Sequence, residues 1–122
     1  MARFEGLRIF VVEDEALVAM NLEMILEDLG CHVVGPAMRL ERAEEMVRDG
    51  LAADAAILDV NLGGREVFPV AESLAEAGMA LVFATGYGLS GIPDTWHGRP
   101  ILQKPYTQED VAACLTRALE DG

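Results

Sequence analysis

The stretch Ala55-Ala56-Ile57-Leu58-Asp59-Val60-Asn61 decides the fold of this chain. Its apolar run stops at one carboxylate, Asp59, which is the pattern of a buried strand that brings an acid to the carboxyl edge of a sheet. An earlier apolar run at residues 7–12 ends on two further acids, Glu13 and Asp14. If the two strands are parallel neighbours, all three carboxylates crowd one pocket.

Three carboxylates at such short range repel one another strongly, so the pocket needs a neutralising partner. The usual solutions are a hard divalent cation with oxygen ligands, a lysine, or protonation of one acid. A later segment, Ile101-Leu102-Gln103-Lys104-Pro105, offers a lysine directly after another short apolar run. The residues by themselves leave all three solutions open.

Strand-like and helix-like segments alternate along the whole chain. Continuous apolar runs of strand length are interleaved with stretches in which apolar residues recur at helical spacing. The predicted strands are 7–12, 31–34, 55–60, 80–84 and 101–103, and the predicted helices are 16–29, 40–47, 67–77 and 107–119. This alternation predicts an α/β fold, a doubly wound five-stranded parallel sheet with helices on both faces.

The connecting segments carry signals of their own. Gly35-Pro36 is expected to end the second strand, and residues 61–65 are interpreted as a loop. Residues 86–98 contain four glycines and a proline, too many for a regular helix, so we expect a short or mobile helix there or none. Thr107, with Asp110 three residues later, is typical of a weakened capping box at the start of the last helix.

The bulk composition limits the class of protein. With 122 residues, 52% of them hydrophobic, we expect a single folded domain over residues 1–122 with no output domain. No apolar run approaches the roughly 20 residues of a membrane span, and residues 1–6 lack the pattern of a secretion signal. The net charge of -12 disfavours nucleic acid and anionic membranes as partners.

The two cysteines, Cys31 and Cys114, lie in apolar segments without metal-ligand spacing. Free cysteine packs as a small hydrophobic residue, so both are interpreted as buried thiols of a reducing compartment. We therefore expect a cytoplasmic protein.

Polar side chains follow four of the five predicted strands. Glu13 and Asp14 come after the first strand, Asp59 after the third, Thr85 after the fourth and Lys104 after the fifth. In a doubly wound sheet the ligand site lies outside the carboxyl ends of the strands. Each residue alone fits an ordinary turn or helix cap, but all of them at corresponding strand ends favour one functional site.

These residues resemble the signature of the receiver domains of bacterial two-component response regulators, and the resemblance covers the whole chain. Glu13-Asp14, Asp59, Thr85 and Lys104-Pro105 occupy the places of that signature. The segment Phe83-Ala84-Thr85-Gly86-Tyr87 is similar to the FATGY motif of a subgroup often made of stand-alone receivers. The resemblance implies a flavodoxin-like fold with strand order 2-1-3-4-5.

The resemblance also implies a signalling reaction. Asp59 would accept a phosphoryl group from a sensor histidine kinase or a histidine phosphotransfer protein, because a carboxylate can form a mixed anhydride with phosphorus. Lys104 would neutralise phosphoryl oxygens, and Thr85 would donate a hydrogen bond to one of them. The peptide bond between Lys104 and Pro105 would be cis. The protein would catalyse only its own phosphorylation and dephosphorylation, so it is not expected to be an enzyme with separate substrates.

The resemblance further implies a Mg²⁺ site. Asp14, Asp59 and the backbone carbonyl of Asn61 would hold the ion, and Glu13 would act on it through a water. Mg²⁺ prefers octahedral oxygen coordination and keeps several waters, which fits such a set of ligands.

One departure and two alternatives limit this interpretation. Ile101 stands where many receivers have an aromatic residue, so we expect signalling to depend on ordering of residues 86–98. A phosphatase with an aspartyl nucleophile would need a second acid where this chain has Asn61. A protein-binding module that keeps the fold without using phosphorylation is the other alternative. The downstream partner, if there is one, and the oligomeric state stay open.

Overall fold

A five-stranded parallel sheet runs through the middle of residues 4–121, the part of the chain that the computed structural model describes. The strands, in chain order, are β1 (Arg8–Val12), β2 (His32–Ala37), β3 (Ala55–Asp59), β4 (Asn61–Leu62), β5 (Arg65–Glu66), β6 (Ala80–Thr85) and β7 (Ile101–Gln103). The large sheet has the order β2-β1-β3-β6-β7, and β4 and β5 form a separate antiparallel hairpin. Without the hairpin strands this is the predicted order 2-1-3-4-5, so the α/β fold class is confirmed.

Four α-helices cover the two faces of the sheet. They are α1 (Ala16–Asp28), α2 (Leu40–Arg48), α3 (Phe68–Glu76) and α4 (Gln108–Asp121). Alternate residues of β1 point to opposite faces: Phe10 and Val12 belong to the core under α2 and α3, whereas Ile9 and Val11 belong to the core under α1 and α4. The sheet is therefore buried on both sides, as its continuous apolar strands predicted.

Strand β3 lies at the centre of this arrangement and is buried along its whole length. Ile57 packs into one core and Leu58 into the other, and each such side chain contributes about 1.5 to 3 kcal/mol when fully buried. Asp59 is the last residue of the strand and pairs with Ala84 of β6. The apolar run thus fixes the strand in the sheet, and the acid is carried to the edge where the strand ends.

Two predicted segments differ from the structure. Strand β2 was expected to end at Gly35-Pro36 but continues to Ala37, because β2 is an edge strand and a proline is tolerated where no neighbour needs its N–H. Residues 61–65 were expected to be a loop but form most of the β4–β5 hairpin. Its turn consists of Gly63 and Gly64, both with positive φ angles.

The segment 86–98 contains no α-helix, as expected. It forms two short 3₁₀ helices, Gly88–Gly91 and Asp94–Trp96. The ring of Trp96 is buried and lies edge-on to Phe83 of β6, with 5.4 Å between the ring centroids, and stacks on Phe68 of α3 at 6.4 Å. An aromatic cluster therefore anchors the far end of this segment to the core.

The capping box at the start of α4 is confirmed: the Asp110 N–H donates to Thr107 Oγ1 at 3.2 Å, and the Thr107 N–H donates to Asp110 Oδ2 at 2.8 Å. Within residues 4–121 no helix combines the length and the apolar character that crossing a membrane requires. Residues 1–3 and 122 lie outside the described residues. The predicted domain includes them, and residues 1–3 are also the first half of the stretch in which we expect no secretion signal.

Candidate functional site

Three carboxylates meet at the carboxyl edge of the sheet. Glu13 and Asp14 directly follow β1, and Asp59 ends the neighbouring strand β3, whose residue Leu58 pairs with Val12. One oxygen from each of the three side chains lies within 4.8 Å of the others. Glu13 and Asp59 are buried, and Asp14 is half-buried. The crowding that the two apolar runs predicted is therefore present.

Lys104 neutralises part of this charge. Its Nζ lies 2.9 Å from Glu13 Oε1 and 3.2 Å from Asp59 Oδ1, so one ammonium bridges the two buried acids. The Lys104 N–H donates to the carbonyl of Thr85 at 2.9 Å, and the peptide bond to Pro105 is cis, as predicted. Lys104 is also the only lysine of the chain; every other basic side chain that is permanently charged is an arginine.

The electrostatic environment shifts the pKa values of both partners. Burial, together with the charge of Glu13, raises the pKa of Asp59 from 3.8 to about 7, although the nearby Lys104 acts in the opposite direction. For Lys104, burial favours a lower pKa, but the hydrogen bond to Glu13 and the charges of Asp59 and Glu13 outweigh it and raise the pKa. One ammonium is therefore too little charge to balance this pocket fully.

Thr85 completes the row of strand ends. It is the last residue of β6, is buried, and accepts a hydrogen bond at Oγ1 from the N–H of Tyr87 at 3.1 Å. An open cleft of about 580 Å³ lies over these strand ends, and Thr85, Asp59 and Lys104 line it together with Tyr87. The cleft is large enough for a phosphoryl group to reach the Asp59 carboxylate.

The β4–β5 hairpin closes one side of this cleft. Asn61, two residues beyond Asp59, lines the cleft, and its side-chain Oδ1 accepts a hydrogen bond from the Gly64 N–H at 2.8 Å. The Gly63 N–H donates to Asp14 Oδ2 at 3.0 Å. The sequence interpretation missed this contact. The dipeptide Gly63-Gly64 between Leu62 and Arg65 is a two-residue hairpin signal that could have revealed the turn.

The acids fit a magnesium ion. Carboxylate oxygens are hard ligands of the kind that Mg²⁺ selects, and the described residues bring three of them within reach of one ion. The raised pKa of Asp59 points the same way: burial and, after it, the charge of Glu13 disfavour the ionised carboxylate, and Lys104 offsets them only in part, so a bound cation would relieve the strain on the ionised form. Asp14 contacts no cation among the described residues, and its hydrogen bond to Gly63 occupies only part of its accepting capacity.

Known proteins share this fold. The chain is 44% identical to SdrG from Sphingomonas melonis Fr1, and the match covers 98% of this chain and 99% of SdrG. The two structures superpose with a TM-score of 0.83. A second SdrG structure, described as the BeF3-activated conformation from Pseudomonas melonis Fr1, is 46% identical over 93% of this chain and 98% of that one, with a TM-score of 0.79.

The response regulator PhyR from Brucella abortus is 26% identical over 98% of this chain, with a TM-score of 0.81. Similarity to PhyR from Methylorubrum extorquens is 27% over 91% of this chain. The chain spans 50% of the first PhyR and 43% of the second, about half the length of either. No family model matches the chain.

This chain is a response-regulator receiver domain. Nearly complete coverage of a relative at 44% identity, the sheet order and the predicted strand-end residues all agree. The receiver keeps both acids after β1, the acid after β3, the threonine after β6 and the Lys-Pro pair after β7. The narrower assignment to the FATGY subgroup stays a prediction.

The raised pKa of Asp59 predicts how the stability of the metal-free receiver depends on pH. From pH 3.8 to about 7 the folded protein holds a proton that the unfolded chain has already released. The contribution of Asp59 to the free energy of unfolding therefore falls as the pH rises through this window. Asp59→Asn removes this contribution, so we expect the variant to be about 1 to 2 kcal/mol more stable than wild type at neutral pH, after allowance for solvent screening.

The difference in free energy of unfolding between wild type and Asp59→Asn is measured by urea denaturation in EDTA. The measurement is repeated at several pH values from below 3.8 to about 7. The gap should be largest near pH 7, should narrow as the pH falls, and should close below pH 3.8, where Asp59 is protonated in both states. A variant less stable than wild type at neutral pH without metal would contradict the charge-crowding account.

Proposed function

We propose that this receiver is a phospho-accepting signalling switch whose acceptor is Asp59. The observation that carries the proposal is the position of the Asp59 carboxylate: it is at the floor of an open cleft, 3.2 Å from the ammonium of the only lysine in the chain. A buried carboxylate with a raised pKa is costly to keep as structure alone, and its ionised form, which a cation bound beside it would favour, is the nucleophile.

In the proposed reaction, one oxygen of Asp59 attacks the phosphorus of a phosphohistidine. The P–N bond breaks with its electron pair moving to the imidazole nitrogen, and a P–O bond forms to give an aspartyl phosphate. Lys104 already contacts Asp59 Oδ1, so its charge is in place to stabilise the phosphoryl oxygens as negative charge accumulates on them. The protein acts only on itself in this scheme and turns over no separate substrate.

The metal ligands in this proposal are Asp14, Asp59 and the backbone carbonyl of Asn61, with Glu13 acting through a water. Bound there, Mg²⁺ would supply positive charge against the phosphoryl oxygens beyond what Lys104 provides. Glu13 keeps its place through two contacts of its own, the Lys104 ammonium at Oε1 and the Glu15 N–H at Oε2, 3.1 Å away. We place this reaction in the cytoplasm.

Acetyl phosphate tests the acceptor directly. We expect wild-type protein incubated with acetyl phosphate and Mg²⁺ to gain the mass of one phosphoryl group in intact-protein mass spectrometry, and the adduct to be lost at alkaline pH as an acyl phosphate. Asp59→Asn should show no gain, because the amide is not a nucleophile. Asp54→Asn is the matched control, since Asp54 lies at the opposite end of β3 and its Oδ2 accepts from the Arg8 N–H.

If neither acetyl phosphate nor any phosphohistidine protein labels wild type, the phospho-acceptor proposal fails and the binding-module alternative is favoured. If Asp59→Asn is labelled as well as wild type, the acceptor is another residue.

The phosphoryl donor is proposed to be a sensor histidine kinase or a histidine phosphotransfer protein that docks on α1. Leu17, Met20 and Met24 follow one another at helical spacing and remain 79%, 55% and 59% exposed. Leu17 also lines a mostly apolar cleft with Lys104 and Tyr106, so this face adjoins the residue that contacts Asp59. A partner helix seated here would hold its histidine close to the acceptor.

Substitution of the α1 face separates docking from chemistry. Leu17→Glu should slow phosphotransfer from a histidine phosphodonor protein about fivefold or more, because loss of an anchor residue at an interface costs more than about 1 kcal/mol. The rate with acetyl phosphate should be unchanged, since a small donor needs no docking face. Leu89→Glu, at an exposed apolar residue beyond β6, is the control and should alter neither rate. Equal slowing of Leu17→Glu with both donors would contradict the assignment.

Thr85 is the proposed link from phosphorylation to conformation. Its Oγ1 accepts from the Tyr87 N–H, and its hydroxyl proton can donate to a phosphoryl oxygen. Pulling Thr85 toward Asp59 would move the start of residues 86–98, whose far end is packed on Phe83 through Trp96. That SdrG has a BeF3-activated conformation supports a phosphoryl-driven change in this receiver.

The only tryptophan of the chain reports on this change. Addition of beryllium fluoride with Mg²⁺ should shift the fluorescence emission of Trp96. This residue belongs to the moving segment, and its ring packs against Phe68 and Phe83 of the core. Thr85→Val, which cannot donate a hydrogen bond, should bind the mimic but shift the emission far less. An unchanged spectrum in wild type with the mimic bound, together with unchanged amide exchange over residues 86–98, would rule out this route.

A further inference from the structure

The turn of the β4–β5 hairpin contacts one of the metal-site acids from outside the strands of the large sheet. The Gly63 N–H donates to Asp14 Oδ2 at 3.0 Å, and the two residues are 49 positions apart. The four accepting positions of a carboxylate leave room for a metal as well as this donor. The contact is therefore compatible with metal binding and fixes the direction of one carboxylate oxygen.

The chain holds this turn in a specific shape. The φ angles are +59° at Gly63 and +88° at Gly64, which match the two central positions of a type I′ hairpin. Asn61 Oδ1 accepts from the Gly64 N–H at 2.8 Å, so a side chain adds to the strand pairing. Arg65 forms an ion pair with Glu41 of α2, which ties the hairpin to the outer helix.

Asp14 needs such support because, among the described residues, the only other side chain that hydrogen-bonds its carboxylate is Asp59, and that bond requires Asp59 to be protonated. Lys104 pairs with Glu13 and Asp59 but not with Asp14 within hydrogen-bond distance. Asp14 is also the least buried of the three acids. A metal ion that binds ionised Asp59 removes the proton of that bond, which leaves the Gly63 N–H as the donor that orients Asp14.

We propose that the Gly63 N–H is a positioning group that keeps Asp14 oriented for magnesium and stays bonded to it when the ion is present. The inference rests on the Mg²⁺ site of the proposed function and adds a determinant of its affinity. Hydrogen bonds to the second oxygen of a ligating carboxylate commonly change metal affinity by about 10- to 100-fold. The hairpin, rather than a fourth acid, then completes the magnesium site.

Glycine substitutions test the proposal with a close internal control. Gly64 and Gly50 have φ angles of +88° and +90°, and a Cβ at either position would meet no atom within 4 Å. Both alanine variants should therefore lose similar stability from backbone strain. Gly64→Ala distorts the turn that presents the Gly63 N–H, so its Mg²⁺ dissociation constant should rise about tenfold, whereas Gly50→Ala should bind Mg²⁺ like wild type.

Magnesium affinity is measured from the dependence of the melting temperature on Mg²⁺ concentration, which requires no phosphoryl transfer. Asn61→Ala serves as a second variant, because it removes the Oδ1 acceptor of Gly64 without backbone strain and should weaken Mg²⁺ binding several-fold. Equal Mg²⁺ affinity for wild type, Gly64→Ala and Asn61→Ala would overturn the proposal.

Amide exchange of Gly63 distinguishes a positioning donor from a competitor for Asp14. Exchange at Gly63, followed by NMR, should slow when Mg²⁺ is added, because the ion fixes the carboxylate that accepts the bond. Faster exchange on Mg²⁺ addition would mean that the ion displaces the Gly63 N–H, which would overturn the proposal. Wild type that binds no Mg²⁺ would instead defeat the magnesium site itself, so the two failures are distinguishable.

Discussion

The ammonium of Lys104 between two buried carboxylates is the interaction on which this site depends. Glu13 and Asp59 approach each other because β1 and β3 are neighbours whose apolar residues fill both cores. That packing cannot be relaxed locally without losing core contacts, so the repulsion between the acids has to be offset in place. Removing one partner of a buried ion pair commonly costs about 3 to 5 kcal/mol, which indicates how strongly the Lys104 bridge is required for this arrangement.

The bridge nevertheless leaves the negative charge of the pocket partly uncompensated. One positive charge faces three carboxylates, and the pKa of Asp59 stays raised to about 7 in spite of the contact with Lys104. A second cation bound here would therefore lower the electrostatic energy of the pocket. A reaction that moves negative charge from the carboxylate toward Lys104 would do the same. Catalysis of phosphoryl transfer consists mainly of positioning and charge neutralisation, which is what this geometry already supplies.

Most of the fold and the main site residues could be predicted from the sequence, because both follow from where apolar runs stop. β3 is an apolar run that ends on Asp59, and Lys104 follows β7 in the same way. The order of the strands was harder to predict from the sequence, because the periodicity of apolar residues does not determine which parallel strands are neighbours. The predicted order came from the resemblance to receivers. The end of β2 was wrong because the usual meaning of Gly35-Pro36 as a terminator does not apply on an edge strand.

The contact of Gly63 with Asp14 could not be predicted from the types of residue in the sequence. Its donor is a backbone N–H, which every residue except proline carries, and its partner is 49 residues away. Only the three-dimensional path of the hairpin makes this N–H special. The double glycine signals a turn, but where the turn points depends on how β3 and α3 hold its two ends.

Net charge and site charge act at different distances in this receiver. A chain with a net charge of -12 repels small anions at long range, yet the proposed reaction requires a phosphoryl group to reach Asp59. Screening confines that repulsion to about 8 Å at physiological ionic strength, so an apolar contact at the α1 face can hold a donor long enough for the local charges to act. In the proposed reaction Lys104 then attracts the phosphoryl group at contact distance. An acidic exterior with one internal lysine therefore favours a donor that docks over one that merely diffuses in.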